Sequence, residues 1–232
     1  TLFASFYNVI IAGNVEEGLR MTGENKPDVI VSDVMIRVMS GMEMCMKIKN
    51  NVELCHIPVV LFTALDTIEL NIEGLRQGAD DYINKPFHAK ILLMRCNNLI
   101  KNRQLIKNTF SQQIDFDMQQ LPLSPLDQKL MNQVIEIIEK YIDDPNFDVN
   151  IFASELGMGR SSLFTKFKGL TGMTPNEFIQ NQRLKRAASM LRENPDMRIS
   201  EISDQLGFVS TVYFSRCFKA QFGVSPAQFR KC

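Results

Sequence analysis

Three polar residues, each placed at the end of an apolar run, could do chemistry together. Asp33 follows the run DVIVS, Thr63 ends the run PVVLFT, and Lys85 stands just before Pro86. A carboxylate beside a hydroxyl and an ammonium group can accept a phosphoryl group and have its charge neutralised. Taken singly each residue is weak evidence, because an aspartate after a strand is more often a helix cap. Together, and in this order, they predict a phosphoryl-acceptor site.

A second kind of chemistry is indicated by the distribution of charge. The chain carries 26 basic and 26 acidic side chains and has a formal net charge of zero. Residues 156–192 nevertheless hold seven basic side chains and one acidic one, and residues 205–232 hold four basic side chains and no acid. Positive charge gathered in two blocks is typical of a surface that binds the phosphates of nucleic acid.

One structural unit occurs twice in the second half of the chain. Leu156-Gly157 recurs as Leu206-Gly207, and Phe167-Lys168 recurs as Phe218-Lys219. In each copy a short amphipathic helix ends at the glycine, where a left-handed backbone is tolerated, and a second helix begins near a serine or threonine. The repeat therefore predicts two helix-turn-helix units.

The second helix of each unit has a polar face. Leu163 and Phe167 point inward in the first copy, as do Phe214 and Phe218 in the second. The residues predicted to lie outward or at the flanks are Arg160, Ser161, Ser162, Thr165, Lys166, Thr211, Val212, Tyr213, Arg216 and Lys219. Hydroxyl and cationic side chains contact base edges and phosphates. One such face is more often simply solvated, but a pair at nearly fixed spacing favours double-stranded DNA as a partner.

The passages GMGRSSLFTKFKGLTGMTPNEFI and GFVSTVYFSRCFKAQFGVSPAQFRK resemble the DNA-binding domain of AraC/XylS-type transcription regulators. The resemblance covers residues from about 125 to 232. It implies two helix-turn-helix motifs joined by a long helix over Pro175–Glu193, whose recognition helices enter successive major grooves about 34 Å apart. It places base-facing roles on Ser161, Phe164, Thr165, Thr211, Val212, Tyr213 and Arg216. Arg216 is the strongest candidate for direct readout, since a guanidinium can bind guanine bidentately.

In the first half, apolar runs alternate with helical patterns. Strands are predicted at Tyr7–Ala12, Asp28–Val34, Pro58–Thr63 and Asp81–Asn84, and helices at Val15–Gly23, Ser40–Lys49, Thr67–Gln77 and Ala89–Lys107. Valine- and isoleucine-rich strands without alternation predict a parallel sheet that is covered on both faces. The expected fold class is a doubly wound α/β domain, followed by an all-α domain with two helix-turn-helix motifs. Ligands of doubly wound sheets bind at the carboxyl ends of the strands.

The motifs SDVM, LFTA and YINKP closely resemble the receiver domain of two-component response regulators. The resemblance implies that Asp33 is the phosphoacceptor, that Thr63 and Lys85 bind the phosphate, and that Tyr82 changes rotamer with them. It also implies Mg²⁺ bound by Asp33 and the main-chain carbonyl of Met35, and a sensor histidine kinase as partner.

Two features depart from the receiver pattern. Receivers begin with a central strand that ends in an acidic pair, whereas residues 1–6 look like the tail of the helix that follows this strand. The pair is thus absent from this chain, which predicts either a fragment of a longer protein or a degenerate domain that cannot hold the metal, and the fragment is favoured. Mg²⁺ is therefore expected in the intact receiver only. Arg37 stands where the family usually has proline.

The expected organisation is a truncated receiver at residues 1–107, a linker at 108–127 and a DNA-binding domain at 128–232. We expect a cytoplasmic homodimer, whose parent chain is membrane-anchored if it is a hybrid sensor. With five scattered cysteines and two histidines, no other metal site is predicted.

Three functions remain open from the sequence. The first is a transcription regulator controlled by phosphorylation of Asp33, and the second is a constitutive DNA binder whose degenerate receiver serves only for dimerisation. The third is a phosphatase of the haloacid-dehalogenase type with a phosphoaspartate intermediate. Such enzymes need a second aspartate two residues after the nucleophile, and Met35 occupies that position. The third function is therefore disfavoured, and no enzyme activity is expected.

Overall fold

The computed structural model describes residues 2–35, 40–64, 78–114 and 120–231. The chain divides into two compact units. The first comprises Thr1–Lys107 together with Pro122–Gln128, and the second comprises Asn108–Leu121 together with Lys129–Cys232.

The first unit is built on a three-stranded parallel sheet. Its strands are β1 (Ile30–Asp33), β2 (Val59–Thr63) and β3 (Asp81–Asn84), in the order β1-β2-β3. Around them lie a 3₁₀ turn at Leu2–Ser5 and the helices α1 (Val15–Asn25), α2 (Gly41–Lys49) and α3 (Ala89–Gln112). The predicted parallel α/β arrangement is confirmed in the described residues.

Apolar residues cover both faces of this sheet. On one face Leu61 packs with Cys45 and Ile48 of α2. On the other face Val60 packs with Leu92 and Cys96 of α3. Burial on both faces explains why the strands are continuously apolar, since neither set of side chains meets water.

The predicted strand at Tyr7–Ala12 is wrong, because these residues follow the 3₁₀ turn without forming a strand. A strand is held by hydrogen bonds to a neighbour, and among the described residues none pairs with this segment. Ile10 and Ile11 are exposed as a result. The predicted helix at Thr67–Gln77 lies outside the described residues, as does Arg37.

The second unit is entirely helical where it is described. Its helices are α4 (Pro125–Lys140), α5 (Val149–Glu155), α6 (Arg160–Thr171), α7 (Pro175–Glu193), α8 (Ile199–Gln205), α9 (Thr211–Phe222) and α10 (Pro226–Phe229). The first four residues of α4 fall within the first unit. The pairs α5–α6 and α8–α9 are the two predicted helix-turn-helix units, and α7 is the predicted connecting helix.

The turn inside each unit depends on a glycine. Gly157 and Gly207 have φ angles of +62° and +65°, in the left-handed region that L-residues with a side chain disfavour. The connecting helix then starts at a capping box, in which Thr174 and Glu177 each accept a hydrogen bond from the other's backbone. The local residues therefore set the turn and the start of α7.

Helix α3 runs five residues beyond the predicted end at Lys107, so the expectation that residues 108–112 belong to a non-helical linker is wrong. Phe110 is fully buried in the second unit, where its ring lies 6.0 Å from that of Phe178. Lys185 Nζ donates to the Phe110 carbonyl at 2.9 Å, and Asn181 Nδ2 donates to the Ser111 carbonyl at 3.0 Å. These tertiary contacts stabilise a helical end that the local sequence does not favour.

Among the helices that the structure describes, none is both long and apolar enough to cross a lipid bilayer. The four cysteines in the described part of the chain, Cys45, Cys55, Cys96 and Cys217, are free thiols.

Candidate phosphoryl-acceptor site and nucleic-acid interface

Asp33 and Lys85 form an ion pair at the carboxyl edge of the sheet. Lys85 Nζ bonds to Asp33 Oδ2, and the ammonium group also lies 4.7 Å from the centroid of the Phe62 ring. The other carboxylate oxygen, Oδ1, accepts a hydrogen bond of 3.0 Å from the backbone N–H of Met35. Both oxygens of Asp33 are therefore held in place, and a cation already stands beside the position where negative charge would be added.

Thr63 is brought to the same edge by the strand register. It ends β2, beside Asn84 at the end of β3, and its carbonyl accepts a hydrogen bond of 2.7 Å from the backbone N–H of Lys85. The Thr63 side chain is fully buried. The structure thus places all three predicted residues at the carboxyl ends of neighbouring parallel strands.

Tyr82 stands in β3 and packs against the cluster that contains Leu61. Its hydroxyl is buried, and within the described residues it has no hydrogen-bond partner. A buried hydroxyl without a partner is costly. A change of rotamer that brings the Tyr82 hydroxyl to a hydrogen-bond partner would therefore lower the free energy of the domain.

Gly41 approaches the acceptor residue more closely than any side chain would allow. A Cβ atom added at Gly41 would lie 2.0 Å from the carbonyl oxygen of Asp33 and 2.8 Å from Ser32 Oγ. Its N–H donates to the Val34 carbonyl at 3.1 Å, and Ser40 caps the helix that Gly41 begins. A glycine is therefore needed for α2 to start directly against the loop that carries Asp33. The sequence analysis treats Gly41 only as part of the helix predicted at Ser40–Lys49 and misses this role.

The residues around Asp33 supply few ligands for a metal ion. Asp33 offers one carboxylate and Met35, which is largely exposed, offers a carbonyl. In the described ranges, no group of three or more histidine, cysteine, aspartate or glutamate side chains could hold a metal. Mg²⁺ takes about six oxygen ligands, several of them water, so these residues fill only part of its shell.

In the first recognition helix, α6, the predicted outward face is partly correct. Arg160 and Ser161 are exposed, and Ser162, Phe164 and Thr165 are half-buried. The prediction that Lys166 lies outward or at the flank of this helix is wrong.

Lys166 is fully buried rather than exposed. At 100° per residue it lies only 60° around the helix from Leu163, between that residue and the solvated side. The side chain therefore follows the apolar face, with Leu163 and Leu170. It has no place in a DNA-contacting surface.

The second recognition helix, α9, presents a larger exposed face. Val212 is 80% exposed, and Tyr213, Arg216 and Lys219 are also exposed, while Thr211 is half-buried. The residues on the opposite side, Phe214 and Phe218, are fully buried. The face is thus oriented as the helical spacing predicts.

Contacts from the connecting helix organise this second face. Gln180 Nε2 of α7 donates to the Tyr213 hydroxyl at 2.9 Å, and the Arg216 guanidinium lies 5.3 Å from the Tyr213 ring centroid. Val209, in the turn before α9, is 88% exposed. Sequence reasoning missed Val209, because helical periodicity does not extend to a turn.

Two family models match the chain. One, described as "Response regulator receiver domain", covers residues 2–97, and the other, described as "Helix-turn-helix domain", covers residues 152–231. The chain joins a response regulator receiver domain to an AraC-type helix-turn-helix domain. Both resemblances that the motifs predicted are thereby confirmed. Both matching families are regulatory domains.

Known relatives match one or both of these domains. Histidine kinase P4 of Formosa agariphila is 42% identical over 224 residues, which is 97% of this chain and 16% of that protein. Response regulator PleD of Caulobacter vibrioides is 38% identical over 45% of this chain and 23% of its own length. The Msm operon regulatory protein of Streptococcus mutans is 37% identical over 49% of this chain and 42% of its own length. The chain thus spans less than half the length of each of these relatives.

Proposed function

We propose that the chain belongs to a sequence-specific, DNA-binding transcription regulator that is controlled by phosphorylation of Asp33 in a two-component phosphorelay. One observation carries this proposal: a carboxylate held against a lysine at the edge of a receiver sheet lies on the same chain as two recognition helices. Receiver domains interact with histidine kinases, and helix-turn-helix domains bind DNA.

The DNA-binding role rests on the exposed faces of α6 and α9. Arg160 and Lys219 are the candidates for phosphate contacts, because exposed cations neutralise the backbone. Arg216 is the candidate for guanine, and Val212 and Phe164 for thymine methyl groups. The remaining candidates for base or sugar contacts are Ser161, Ser162, Thr165, Thr211 and Tyr213.

The switching role rests on the sheet edge. A phosphoryl group on Asp33 adds about two negative charges, and Lys85 is already in contact with the carboxylate that would carry it. Thr63 would donate its hydroxyl to the phosphate, and Tyr82 would change rotamer with it.

Receiver domains generally use Mg²⁺ for phosphorylation. Asp33 and the Met35 carbonyl would supply two of its ligands here, and the bound ion would offset the charge of the incoming phosphoryl group.

The whole protein is proposed to act in the cytoplasm as a homodimer, with a receiver at residues 1–107, a DNA-binding domain at 128–232 and a linker between them. The identity of 42% to a histidine kinase across both domains supports a hybrid arrangement, in which the sensor kinase precedes the receiver in the same polypeptide. Such a parent protein would be anchored in the membrane by segments upstream.

The switch is tested on a version of the protein with an intact receiver, by measuring DNA affinity with and without beryllofluoride and Mg²⁺, which together mimic a phosphoaspartate. The probe is a duplex enriched from a randomised library by the chain itself, and binding is followed by fluorescence anisotropy. We expect the affinity to change with beryllofluoride, and the change to vanish in Asp33→Asn. The matched control is Asp28→Asn, which alters an exposed carboxylate five residues earlier and should respond as the unaltered chain does.

A second candidate is a constitutive DNA binder whose receiver serves only for dimerisation. The same experiment separates the two. Specific binding whose affinity is identical with and without beryllofluoride would establish the constitutive binder and eliminate the switch.

A further inference from the structure

Arg183 lies on the connecting helix α7, between the two helix-turn-helix motifs, and it is 91% buried, with 9% of its surface exposed. Its guanidinium donates three hydrogen bonds to backbone carbonyls. Nη2 donates to Asp144 at 2.6 Å and to Tyr141 at 3.4 Å, and Nη1 donates to Gly207 at 3.2 Å. A single side chain on the connecting helix therefore contacts backbone groups from two distant parts of the domain.

The carbonyls come from opposite halves of the domain. Tyr141 and Asp144 follow α4, which leads into the first motif, and Gly207 is the turn glycine of the second motif. Because guanidinium nitrogens lie in a fixed plane, the three bonds fix the direction of these segments as well as their distance. Burial lowers the pKa of the Arg183 guanidinium, and the nearby Asp144 and Asp143 carboxylates act in the opposite direction.

The two turn glycines differ in what surrounds them. A Cβ atom at Gly207 would lie 2.8 Å from Arg183 Nη2 and 3.0 Å from the Ile142 carbonyl. At Gly157, the equivalent glycine of the first motif, an added Cβ would meet nothing within 4 Å. Both positions need a positive φ, but only the second turn is packed against the guanidinium. Gly207 is therefore needed both for the positive φ of the turn and for the close approach of the Arg183 guanidinium.

We propose that Arg183 is a positioning residue for DNA binding. It fixes the second helix-turn-helix motif against the first, so that α6 and α9 keep the one separation that suits two successive major grooves. Arg183 does this without touching DNA, since its guanidinium is buried and bonded to carbonyls. The inference rests on the proposed DNA-binding function and adds to it the residue that sets the spacing of the two half-sites.

The test compares the full chain with variants on a series of duplexes. The first duplex is the one that the unaltered chain enriches from a randomised library, and the others carry one or two base pairs inserted or deleted between its two contacted segments. The unaltered chain should prefer one spacing sharply. Arg183→Met should bind the preferred duplex about tenfold more weakly and lose most of the spacing preference, because the three hydrogen bonds that join these segments to α7 are lost. Arg183→Lys should fail to restore the preference, since one ammonium group cannot reproduce the planar fork.

Two matched controls separate positioning from general damage. Arg186→Met removes an exposed arginine from the same helix and should leave the spacing preference intact. Gly207→Ala should flatten the preference as Arg183→Met does. Gly157→Ala, which carries a similar backbone strain without displacing the guanidinium, should retain it. If Arg183→Met does not fold, Arg183→Lys and Gly207→Ala decide the question.

A spacing preference that is unchanged in both Arg183→Lys and Gly207→Ala would overturn the proposal. Failure of the DNA-binding function is a different outcome, in which the unaltered chain enriches no duplex at all. In that case amide hydrogen exchange decides the role of Arg183. Faster exchange in residues 206–214 of Arg183→Lys, with the first motif unchanged, supports the positioning role, and equal exchange refutes it.

Discussion

Three properties of Arg216 favour its proposed role in direct readout of a base. Its side chain is exposed, its guanidinium lies over the ring of Tyr213, and Tyr213 is held in turn by Gln180 of the connecting helix. Stacking on an aromatic ring restricts the rotamers of a long side chain before DNA arrives. The entropy lost on binding is correspondingly smaller.

Replacing Arg216 with alanine should weaken binding to the enriched duplex by about 1–3 kcal/mol and relax the base preference at one position. Lys219→Ala, one turn away on the same exposed face, should weaken binding to all sequences alike and reduce the salt dependence by about one phosphate. Anisotropy titrations at several salt concentrations distinguish these effects. Equal and purely salt-dependent losses in both variants would show that Arg216 contacts phosphate and reads no base.

Gly41 has no side chain, and this allows α2 to start directly against the loop that follows Asp33. Gly41→Ala should lower the free energy of unfolding by about 1–3 kcal/mol, because the new Cβ would collide with the Asp33 carbonyl. Gly23→Ala in α1 is the control: its Cβ meets nothing within 4 Å, and alanine should raise helix stability by about 0.5–1 kcal/mol. Urea denaturation of both variants checks the pair, and equal stabilities would disprove the close approach at Gly41.

The sequence predicts the positions of the candidate phosphoryl-acceptor residues better than the exposure of the candidate DNA-facing ones. Asp33, Thr63 and Lys85 each end or follow an apolar run, so the parallel sheet brings them to one edge whatever the details of packing. Lys166 belongs to a basic block, yet its angle around α6 places it on the apolar side, where it is fully buried. The charge blocks predict DNA binding, whereas the angle of a side chain around its helix decides whether a cation such as Lys166 is exposed.

The end of helix α3 is set by tertiary contacts. Its last residues have little apolar spacing, so the sequence predicted an end at Lys107. Phe110 continues the helix because its ring is buried against Phe178 and its carbonyl accepts a bond from Lys185. The short helices around Gly157 and Gly207 were predictable for the opposite reason, since their turns and caps are local.

Phe110→Ala should destabilise the helical unit by about 3–5 kcal/mol, the range for removing a buried aromatic ring. The effect should appear in the amide hydrogen exchange of α7, against which the ring packs. The control is Leu105→Ala on the same helix, where the side chain is 63% exposed and the change should stay within about 0.5 kcal/mol. Unchanged exchange in Phe110→Ala would mean that the end of α3 does not belong to the helical unit.

At the scale of the whole molecule, the receiver and helix-turn-helix domains each have their own core and their own chemistry. The first holds the proposed acceptor carboxylate, Asp33, at a sheet edge, and the second contains two positively charged blocks of sequence within a chain of zero net charge. The strand predicted at Tyr7–Ala12 shows what a single sequence leaves open. Strand formation depends on a neighbouring strand, and no pattern within the segment reveals whether one is present.

The proposed function requires that α6 and α9 enter successive major grooves on one side of a duplex. Hydroxyl-radical footprinting of the chain on its enriched duplex tests this directly. We expect two protected segments on one face of the DNA, with their centres about 10 base pairs apart. A single protected segment, or two segments on opposite faces, would contradict it.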